Sequence, residues 1–381
     1  MHLIWATQEF TLKQRPYPGF PILLDEEMRS VEAANAFLRH YLMRGRIGSE
    51  QSWPSTGRAM YDYFSFLEAQ GLNWKDVNRG DELTLVGAYR DYCLDTAKLA
   101  RNTVRQRLLY VCEFYVYALR QKWVDALPFG YEERKIKRND GFLAHVDSSS
   151  GSVTVRDVSL KVHKNLPRFL GKSEIQALLA AALNPHHKMI LRLGLQTGLR
   201  REEIATFPLH YVFDPDKSKR TERNIRIRLD PQDGHGMQTK GSKSRDIFVS
   251  RAFLKDLHFY AIHKRGERSQ LSPLKHKPLF LNKNGEPYAA NGKRIGRIVT
   301  KIGATADIKV WPHMLRHTYA THTLHAMQRG KSSIDPLVFL QRQLGHESIN
   351  TTMIYLHLVN ERADDAVLAY DDELNDWMQE A

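Results

Sequence analysis

The hydrophobic pattern of this chain breaks between residues 126 and 168. On both sides of the break, apolar residues recur every three or four positions, as in amphipathic helices. Inside it, the stretch ALPFGYEERKIKRNDGF is basic and punctuated by Pro and Gly, and DSSSGSV has a flexible composition. A chain of 381 residues is also long for a single hydrophobic core. We therefore expect two domains joined by a basic linker over residues 126–168.

The segment before the break, residues 25–125, predicts an all-helical domain of about four helices. Its periodic stretches are EEMRSVEAANAFLRHYLMR, STGRAMYDYFSFLEAQ, ELTLVGAYRDYCLDTA and RNTVRQRLLYVCEFYVYALRQK. Tyr61, Tyr63, Phe64 and Phe66 alternate with Leu67 on a helical face, which favours core packing over base stacking. Residues 1–24 mix apolar alternation with the turn-rich QRPYPGFP, which indicates one or two strands or an ordered N-terminal arm.

Several cationic side chains lie close together at the start of the last of these helices. Cations at a helix N-terminus oppose the helix dipole, and an external phosphate backbone would offset that penalty. The alternative is a basic face that water solvates. The linker adds further cations that can lie along a phosphate backbone. The residues that we predict to contact DNA here are Lys98, Arg101, Thr103, Arg105, Arg107, Arg134, Lys135, Lys137 and Arg138.

The charge balance favours a polyanionic partner. The chain holds 56 Lys and Arg against 43 Asp and Glu, a net charge of +13. Eight acidic residues and one arginine follow Val359, so residues 1–359 carry +20. An excess of this size is typical of nucleic-acid-binding chains, although it names only the class of partner. The acidic segment 360–381 predicts an amphipathic helix that docks on protein rather than on DNA.

The segment after the break, residues 169–359, predicts further helices around a small antiparallel sheet. The helical stretch MILRLGLQTGLRREEIATFPL is broken at Gly198, shortly before Arg200. Three strand-like stretches follow, NIRIRL at 224–229, GMQTK at 236–240 and RDIFVS at 245–250, with GSKS as the turn between the last two. Lys240 should therefore sit at the mouth of a hairpin and reach into a cleft.

Several residues suited to catalysis lie between Trp311 and Tyr355. His313 and Arg316 stand three residues apart in a helical pattern, so both side chains leave one helix face and can converge on a small anion. His346 comes thirty residues after Arg316, and Tyr355 nine residues later. A guanidinium, two imidazoles and a phenol together suit a phosphodiester, because they supply charge, proton carriers and an oxygen nucleophile.

Two other patterns are weaker. GMQTKGSKS resembles a phosphate-binding loop, but Ser242 separates Gly241 from Lys243 and the context is a hairpin. His313 and His317 have the spacing of a zinc pair, but the residues between them lack the metalloprotease Glu and include a cation. We therefore predict no metal and no cofactor, and we interpret His317 as structural.

Five motifs in order and spacing resemble the catalytic domain of the tyrosine recombinase (phage integrase) family. They are TGLRREEI, TKGSKSR, HMLRH, LGH and IYLH. The resemblance covers about residues 170–358, and the helical segment before the break is similar in layout to the family's core-binding domain. The loop DPDKSKRTER, the segment DPQDGH and the N-terminal arm depart from the family pattern. They leave the DNA site and accessory partners open.

The resemblance implies a mainly helical enzyme whose two domains clamp duplex DNA, break it and rejoin it without metal or ATP. Arg200 and Arg316 would hold the scissile phosphate, and Tyr355 would attack it to give a 3′-phosphotyrosine. The other implied roles are a general acid for Lys240, a proton acceptor for His313, a phosphate hydrogen bond for His346, a supporting carboxylate for Glu203 and a DNA contact for Lys243.

The resemblance implies double-stranded DNA with paired half-sites as the partner, and accessory recombination proteins as a further class. It also implies that copies of the chain assemble, as a dimer on each site and a tetramer in synapsis. The helix at 360–381 would then dock on a neighbouring subunit, and the alternative is that it docks on its own domain. Cys93 and Cys112 lie in apolar patterns, which favours free thiols in a reducing compartment, the cytoplasm and its nucleoid. No run of eighteen apolar residues occurs, so we expect no membrane span.

Two other functions use the same residues. A type IB topoisomerase-like enzyme would relax DNA with this catalytic set without pairing two sites, and a DNA-binding accessory protein would keep the fold without turnover. The sequence also leaves open whether the event is integration, excision, resolution, inversion or transposition.

Overall fold

A computed structural model describes residues 1–12, 14–43, 50–80, 82–135, 152–161, 166–218, 221–329 and 335–360. The chain divides into two compact units, Met1–Lys164 and Asn165–Ala381. Each unit encloses hydrophobic cores of its own. The predicted fold class, two domains that are mainly helical with small antiparallel sheets, is confirmed.

In its described residues, the first unit combines four α-helices with short strands at both ends. Its elements are β1 (His2–Trp5), β2 (Thr11–Leu12), β3 (Arg15–Pro16), β4 (Pro21–Leu24), α1 (Glu32–Met43), α2 (Trp53–Ala69), α3 (Leu85–Asp91), α4 (Arg101–Arg120), β5 (Tyr131–Lys135) and β6 (Ser152–Arg156). A single π-helical turn, Tyr92–Thr96, follows α3.

The N-terminal strands belong to the core of this unit. β1 pairs antiparallel with β4, and β2 pairs with β3. Phe20 and Leu23 are buried beside the helices. The Asn35 side chain on α1 accepts from the Leu23 N–H at 2.8 Å and donates to the Leu23 carbonyl at 2.7 Å. Residues 1–24, for which the sequence indicates one or two strands or an ordered arm, form four short strands.

The interior of the first unit is rich in aromatic side chains. Tyr63, Phe64 and Phe66 are buried, which confirms that they pack in the core. The hydroxyls of Tyr63 and Tyr115 lie 2.6 Å apart. Cys93 and Cys112 are buried free thiols, as predicted. These residues hold α2 and α4 together and leave the exposed side of α4 for other contacts.

Residues 126–168, interpreted as a linker, contain paired strands that the sequence analysis did not predict. β5 and β6 are antiparallel, from Tyr131 opposite Arg156 to Lys135 opposite Ser152. Arg156 donates to Glu113 on α4 at 2.6 Å, which ties the pair to the helices. YEERK has one apolar residue in five, so its strand depends on pairing with a distant segment, which a local pattern does not record.

The second unit combines nine helices, within the described residues, with one two-stranded sheet. Its elements are α5 (Lys172–Ala181), α6 (Pro185–Thr197), α7 (Arg201–Thr206), β7 (Asn224–Leu229), β8 (Arg245–Ser250), α8 (Arg251–Ile262), α9 (Lys264–Ser269), α10 (Lys293–Thr305), α11 (Pro312–Arg329), α12 (Pro336–Leu344) and α13 (Ile349–Asn360).

The prediction of a strand over residues 236–240, between the other two, was wrong. β7 pairs directly with β8, and inward residues such as Ile227 and Ile247 are buried between the sheet and the helices. Gly234 and Gly236 adopt positive φ angles of 77° and 88°, which interrupt an extended chain. The Gln238 N–H donates to the Thr206 hydroxyl instead of to a strand. Lys240 lies in a short helical turn within the connection between the two strands.

α11 is the central helix of the second unit and lies against α6, α12 and α13. The buried side chains at this junction include Ala320, Leu340, Leu344 and Tyr355. The helix predicted over residues 360–381 lies outside the described residues, apart from Asn360 at the end of α13. In the described parts of the chain, no helix has the length and apolar character needed to cross a bilayer.

Candidate active site

Arg316 lies on α11 at the centre of the site, with only 1% of its surface exposed. Its Nη1 donates to the Gly198 carbonyl at 2.8 Å and its Nη2 to the Leu344 carbonyl at 2.6 Å. Both carbonyls belong to helix C-termini, α6 and α12, where the helix dipole favours a cation. Burial, with the charge of Arg200, lowers its pKa to about 9. The guanidinium therefore stays charged at neutral pH.

Arg316 also has unused donors. A guanidinium carries five N–H groups, and two of them are taken by the carbonyls. Its Nε is buried without a hydrogen-bond partner among the described residues. An unpaired buried donor is costly unless a ligand completes it. The arrangement suits an anion that binds beside Arg316.

Gly198 sets the position of Arg200. It ends α6 in the left-handed conformation at φ 67°. A Cβ on Gly198 would lie 2.7 Å from Cδ1 of Tyr319 and 2.8 Å from Cδ2 of Leu344, so only glycine fits. Arg200 follows at the N-cap of α7 with its side chain 19% exposed. The tight turn brings this second guanidinium to the same site as Arg316.

Glu203 is buried behind the two arginines, and Arg245 holds it from the other side. Both Nη atoms of Arg245 donate to the Glu203 carboxylate at 2.7 Å. The Arg200 N–H and Nη1 donate to the same carboxylate at 2.7 and 3.1 Å. Burial alone would raise the Glu203 pKa, but the Arg245 hydrogen bonds and the two positive charges lower it to about 2.

Arg245 was missed by the sequence analysis. It begins β8, and its Nε donates to the Gln343 carbonyl in the last turn of α12 at 3.3 Å. Its partners lie 42 and 98 residues away, so the local sequence gives no signal for the contact. Arg245 therefore connects α7, the sheet and the end of α12.

His346 follows the glycine that ends α12. Gly345 has a left-handed φ of 65°, and the His346 N–H donates to the Gln341 carbonyl at 3.0 Å. The His346 Nδ1 lies 2.9 Å from the hydroxyl of buried Thr352. Burial and the charges of Arg316 and Arg200 lower the His346 pKa to about 3. The ring is therefore neutral at pH 7, with Nε2 turned from the threonine.

Tyr355 lies on α13 with 2% of its surface exposed. Its ring is nearly parallel to the His346 ring, with centroids 6.3 Å apart. Burial raises the Tyr355 pKa, while the charges of Arg316 and Arg200 act in the opposite direction. The phenol is therefore protonated at neutral pH and lies among groups that favour its anion.

The hydroxyl of Tyr355 contacts His317, which the sequence analysis interpreted as structural. The Tyr355 Oη and the His317 Nδ1 are 3.0 Å apart. His313 meets His317 edge-on, with ring centroids 4.5 Å apart. The signal for His317 was its spacing of four from His313, which puts both rings on one helix face and which the sequence analysis considered only for a metal.

The two lysines between β7 and β8 have different surroundings. Both are exposed. The Lys243 Nζ lies 2.5 Å from Oε1 of Glu347, next to His346 in sequence. Lys240 makes no hydrogen bond within the described parts of the chain, and its charge helps to lower the Glu347 pKa after the larger effects of Lys243. Lys240 is thus the lysine with an uncommitted ammonium near this turn.

The residues predicted to contact DNA are distributed unevenly in the first unit. Lys98, Arg101, Thr103 and Arg105 are exposed at the start of α4. Arg107 is 23% exposed and its Nη1 donates to Asp62, so its charge is engaged within the unit. Arg134 and Lys135 lie on β5, and the structure describes only their backbone. Lys137 and Arg138 lie outside the described residues.

Comparisons with known proteins identify relatives of the whole chain. Transposase A from transposon Tn554 of Staphylococcus aureus is 27% identical over 373 residues, which cover 92% of this chain and 94% of the relative. Tyrosine recombinase XerC of Lacticaseibacillus casei is 27% identical over 306 residues, which cover 78% and 85%.

Solved structures share the fold. The XerH site-specific recombinase bound to palindromic difH substrate, in its post-cleavage complex, matches with a TM-score of 0.56 and 17% identity over 89% of this chain and 85% of that one. The Tn1549 transposon integrase in complex with transposon right end DNA matches with a TM-score of 0.57 and 17% identity over 88% and 99%.

The family model described as "Phage integrase family" matches residues 168–362, just over half of the chain. The match spans every residue of the site above, from Arg200 to Tyr355. The chain therefore belongs to the phage integrase family, whose members are enzymes that break and rejoin DNA.

Proposed function

We propose that this chain is a site-specific tyrosine recombinase that cleaves and rejoins duplex DNA through a 3′-phosphotyrosyl intermediate at Tyr355. The observation that carries the proposal is the position of this phenol, 3.0 Å from one imidazole, stacked with another and within the fields of Arg200 and Arg316. The names of the relatives, a transposase and a recombinase, support recombination between sites rather than relaxation of one duplex.

The two active-site arginines would bind the non-bridging oxygens of the scissile phosphate. Arg316 has an unpaired buried Nε and two further unused N–H groups, and Arg200 presents a partly exposed guanidinium. Both would stabilise the charge that grows on those oxygens in the transition state. His346 would add a hydrogen bond through Nε2, since its Nδ1 is occupied by Thr352.

Two proton transfers complete the reaction. Lys240 would protonate the departing 5′-oxygen, because its ammonium is uncommitted while that of Lys243 is paired with Glu347. The proton of Tyr355 must pass to a nearby base, a role that the sequence assigns to His313. Transesterification exchanges one phosphoester for another and conserves the bond energy, so the reaction needs no ATP.

The first unit, with its exposed cations at the start of α4, would bind the duplex, and the second would perform the chemistry. The family assignment supports a dimer on paired half-sites and a tetramer in synapsis, with accessory recombination proteins as further partners. We place the chain in the cytoplasm, on the nucleoid, where its buried thiols stay reduced.

The proposal is tested with a duplex that the protein itself selects from a random pool by repeated binding. A nick beside the cleavage position lets the short 5′-hydroxyl product diffuse away, which traps the covalent intermediate. The unaltered chain should give a slowly migrating adduct on a denaturing gel. Tyr355→Phe should bind the duplex equally well and give no adduct, because it lacks the attacking oxygen.

Tyr319→Phe is the matched control, since Tyr319 is a tyrosine of α11 in the same unit. This variant should retain the adduct. Adduct formation by Tyr355→Phe, or its loss in Tyr319→Phe with binding intact, would assign the nucleophile elsewhere.

A further inference from the structure

His317 and His346 lie beside Tyr355, and His313 lies against His317. The His317 Nδ1 is 3.0 Å from the hydroxyl oxygen, the atom that would attack phosphorus. The His346 ring is nearly parallel to the phenol ring with centroids 6.3 Å apart, and its Nδ1 contacts Thr352 instead of the Tyr355 hydroxyl. His313 has no hydrogen bond among the described residues and meets the edge of His317.

His317 is also in the form that accepts a proton. Burial, together with His313 and Arg316, lowers its pKa to about 4, so the ring is neutral at pH 7. A neutral imidazole has one N–H and one free lone pair. With the proton on Nε2, the lone pair on Nδ1 points at the Tyr355 hydroxyl, which then donates to it.

The arrival of DNA changes the balance of charge in favour of this transfer. The positive charge of Arg316 disfavours a protonated His317 in the free protein. A phosphate bound at Arg316 adds a negative charge beside the same ring and favours the imidazolium. The base is therefore weak when the site is empty and stronger when the scissile phosphate is in place.

We propose that His317, rather than His313, is the catalytic residue that accepts the hydroxyl proton of Tyr355. The inference rests on the proposed function. As the Tyr355 oxygen bonds to phosphorus, its proton moves to the His317 Nδ1, the bond from phosphorus to the 5′-oxygen breaks, and Lys240 protonates that oxygen. Rejoining reverses each transfer, so His317 returns the proton to the tyrosine.

The test separates proton transfer from hydrogen bonding. His317→Asn places an amide oxygen near the position of Nδ1, where it can accept the hydrogen bond but cannot take the proton. Adduct formation on the nicked duplex should slow by about 10² to 10⁴, the range of general base catalysis. Affinity for the duplex and the melting transition should stay close to those of the unaltered chain.

A second replacement, at Tyr355, should compensate for the loss of the base in His317→Asn. Replacing Tyr355 with difluorotyrosine makes the phenol more acidic, so a larger fraction is ionised without a base. In the His317→Asn chain this replacement should speed adduct formation by about tenfold or more, and the rate should rise with pH as the phenol ionises. In the unaltered chain it should bring little gain, because the base is present.

His313→Asn is the matched control on the same face of α11. Its adduct formation should not be restored by difluorotyrosine. The proposal is overturned if His317→Asn forms the adduct at the unaltered rate, if difluorotyrosine does not restore it, or if difluorotyrosine restores His313→Asn equally well.

The unaltered chain distinguishes failure of this inference from failure of the proposed function. If it forms no adduct that depends on Tyr355, the recombinase proposal fails and the inference fails with it. If that adduct forms and His317→Asn is unimpaired, only the role of His317 is lost.

Discussion

Lys240 and Lys243 are three residues apart in one loop, yet they make different contacts. Lys243 is paired with Glu347, whereas Lys240 makes no hydrogen bond within the described chain. An exposed pair of this kind contributes little to stability, because water screens both charges. Its importance is positional, because it keeps the Lys243 ammonium beside the turn of His346 and leaves Lys240 able to move to a leaving group.

We predict that Lys240→Ala loses about two to four decades in the rate of adduct formation, because the 5′-oxygen then leaves unprotonated. A duplex with sulfur in place of that oxygen should restore the rate, since a thiolate leaves without a proton. The measurement is single-turnover cleavage of both duplexes.

Lys243→Ala is the control for this prediction and should cleave both duplexes at similar rates. Restoration by sulfur in Lys243→Ala alone would move the general acid to Lys243.

At the scale of the secondary-structure elements, the turn between α6 and α7 restricts both the backbone conformation and the size of the side chain at Gly198. Gly198 has a positive φ, its carbonyl accepts from Arg316, and no space is left at its Cα for a methyl group. Gly234 has a similar φ of 77° but nothing within 4 Å of an added Cβ. The two glycines therefore separate backbone strain from packing.

We predict that Gly234→Ala lowers the free energy of unfolding by about 1 kcal/mol, the strain of a left-handed alanine. Gly198→Ala should lower it by about 2 to 4 kcal/mol, because overpacking against Tyr319 and Leu344 adds to that strain. Chemical denaturation of both variants measures the difference. Equal losses would mean that Tyr319 and Leu344 move aside without cost.

The helices of the first unit could be predicted because each carries its own apolar period, whereas α9 of the second unit, KRGERS, has none. The strands were harder to predict, since β5 has almost no apolar pattern and the stretch 236–240 looks like a strand but pairs with no other strand among the described residues. Pairing between distant segments decides both cases. Propensity alone therefore failed where the hydrogen bonds are not local.

The residues of the candidate site also divide into those that the sequence predicts and those that only the packing shows. Arg200, Arg316, His346 and Tyr355 could be named from their motifs, and the structure brings them together. Arg245 and the contact of His317 could not, because each depends on how α11, α12 and β8 pack. Arg107 was predicted on a DNA surface, but its partner Asp62 is 45 residues away.

At the scale of the whole molecule, charge is the dominant property. Residues 1–359 carry +20, and the four predicted DNA contacts that are exposed at the start of α4 include three cations. Cations that contact phosphates release counterions when DNA binds. Cations that already pair with an acidic residue of the protein release few counterions.

We predict that the affinity for duplex DNA falls steeply with salt, with a slope of about −0.9 for each phosphate contacted. Arg101→Ala and Arg105→Ala should each reduce that slope by about one. Arg107→Ala should leave the slope unchanged, because Asp62 already neutralises its charge. Binding titrations over a range of salt concentrations decide this, and a flat response in the unaltered chain would contradict a duplex-binding surface.

The buried contact of Glu203 with Arg245 also constrains how this sequence can evolve. Gly345 lies against it, since a Cβ there would stand 2.7 Å from Cδ of Arg245. A lineage that exchanged Arg245 for lysine would lose the paired hydrogen bonds, and one that lost Glu203 would leave a guanidinium unpaired inside the protein. We therefore expect substitutions at these three positions to occur together. In a copy of the gene released from selection, mismatched combinations at 203, 245 and 345 should accumulate and mark a lineage that no longer cuts DNA.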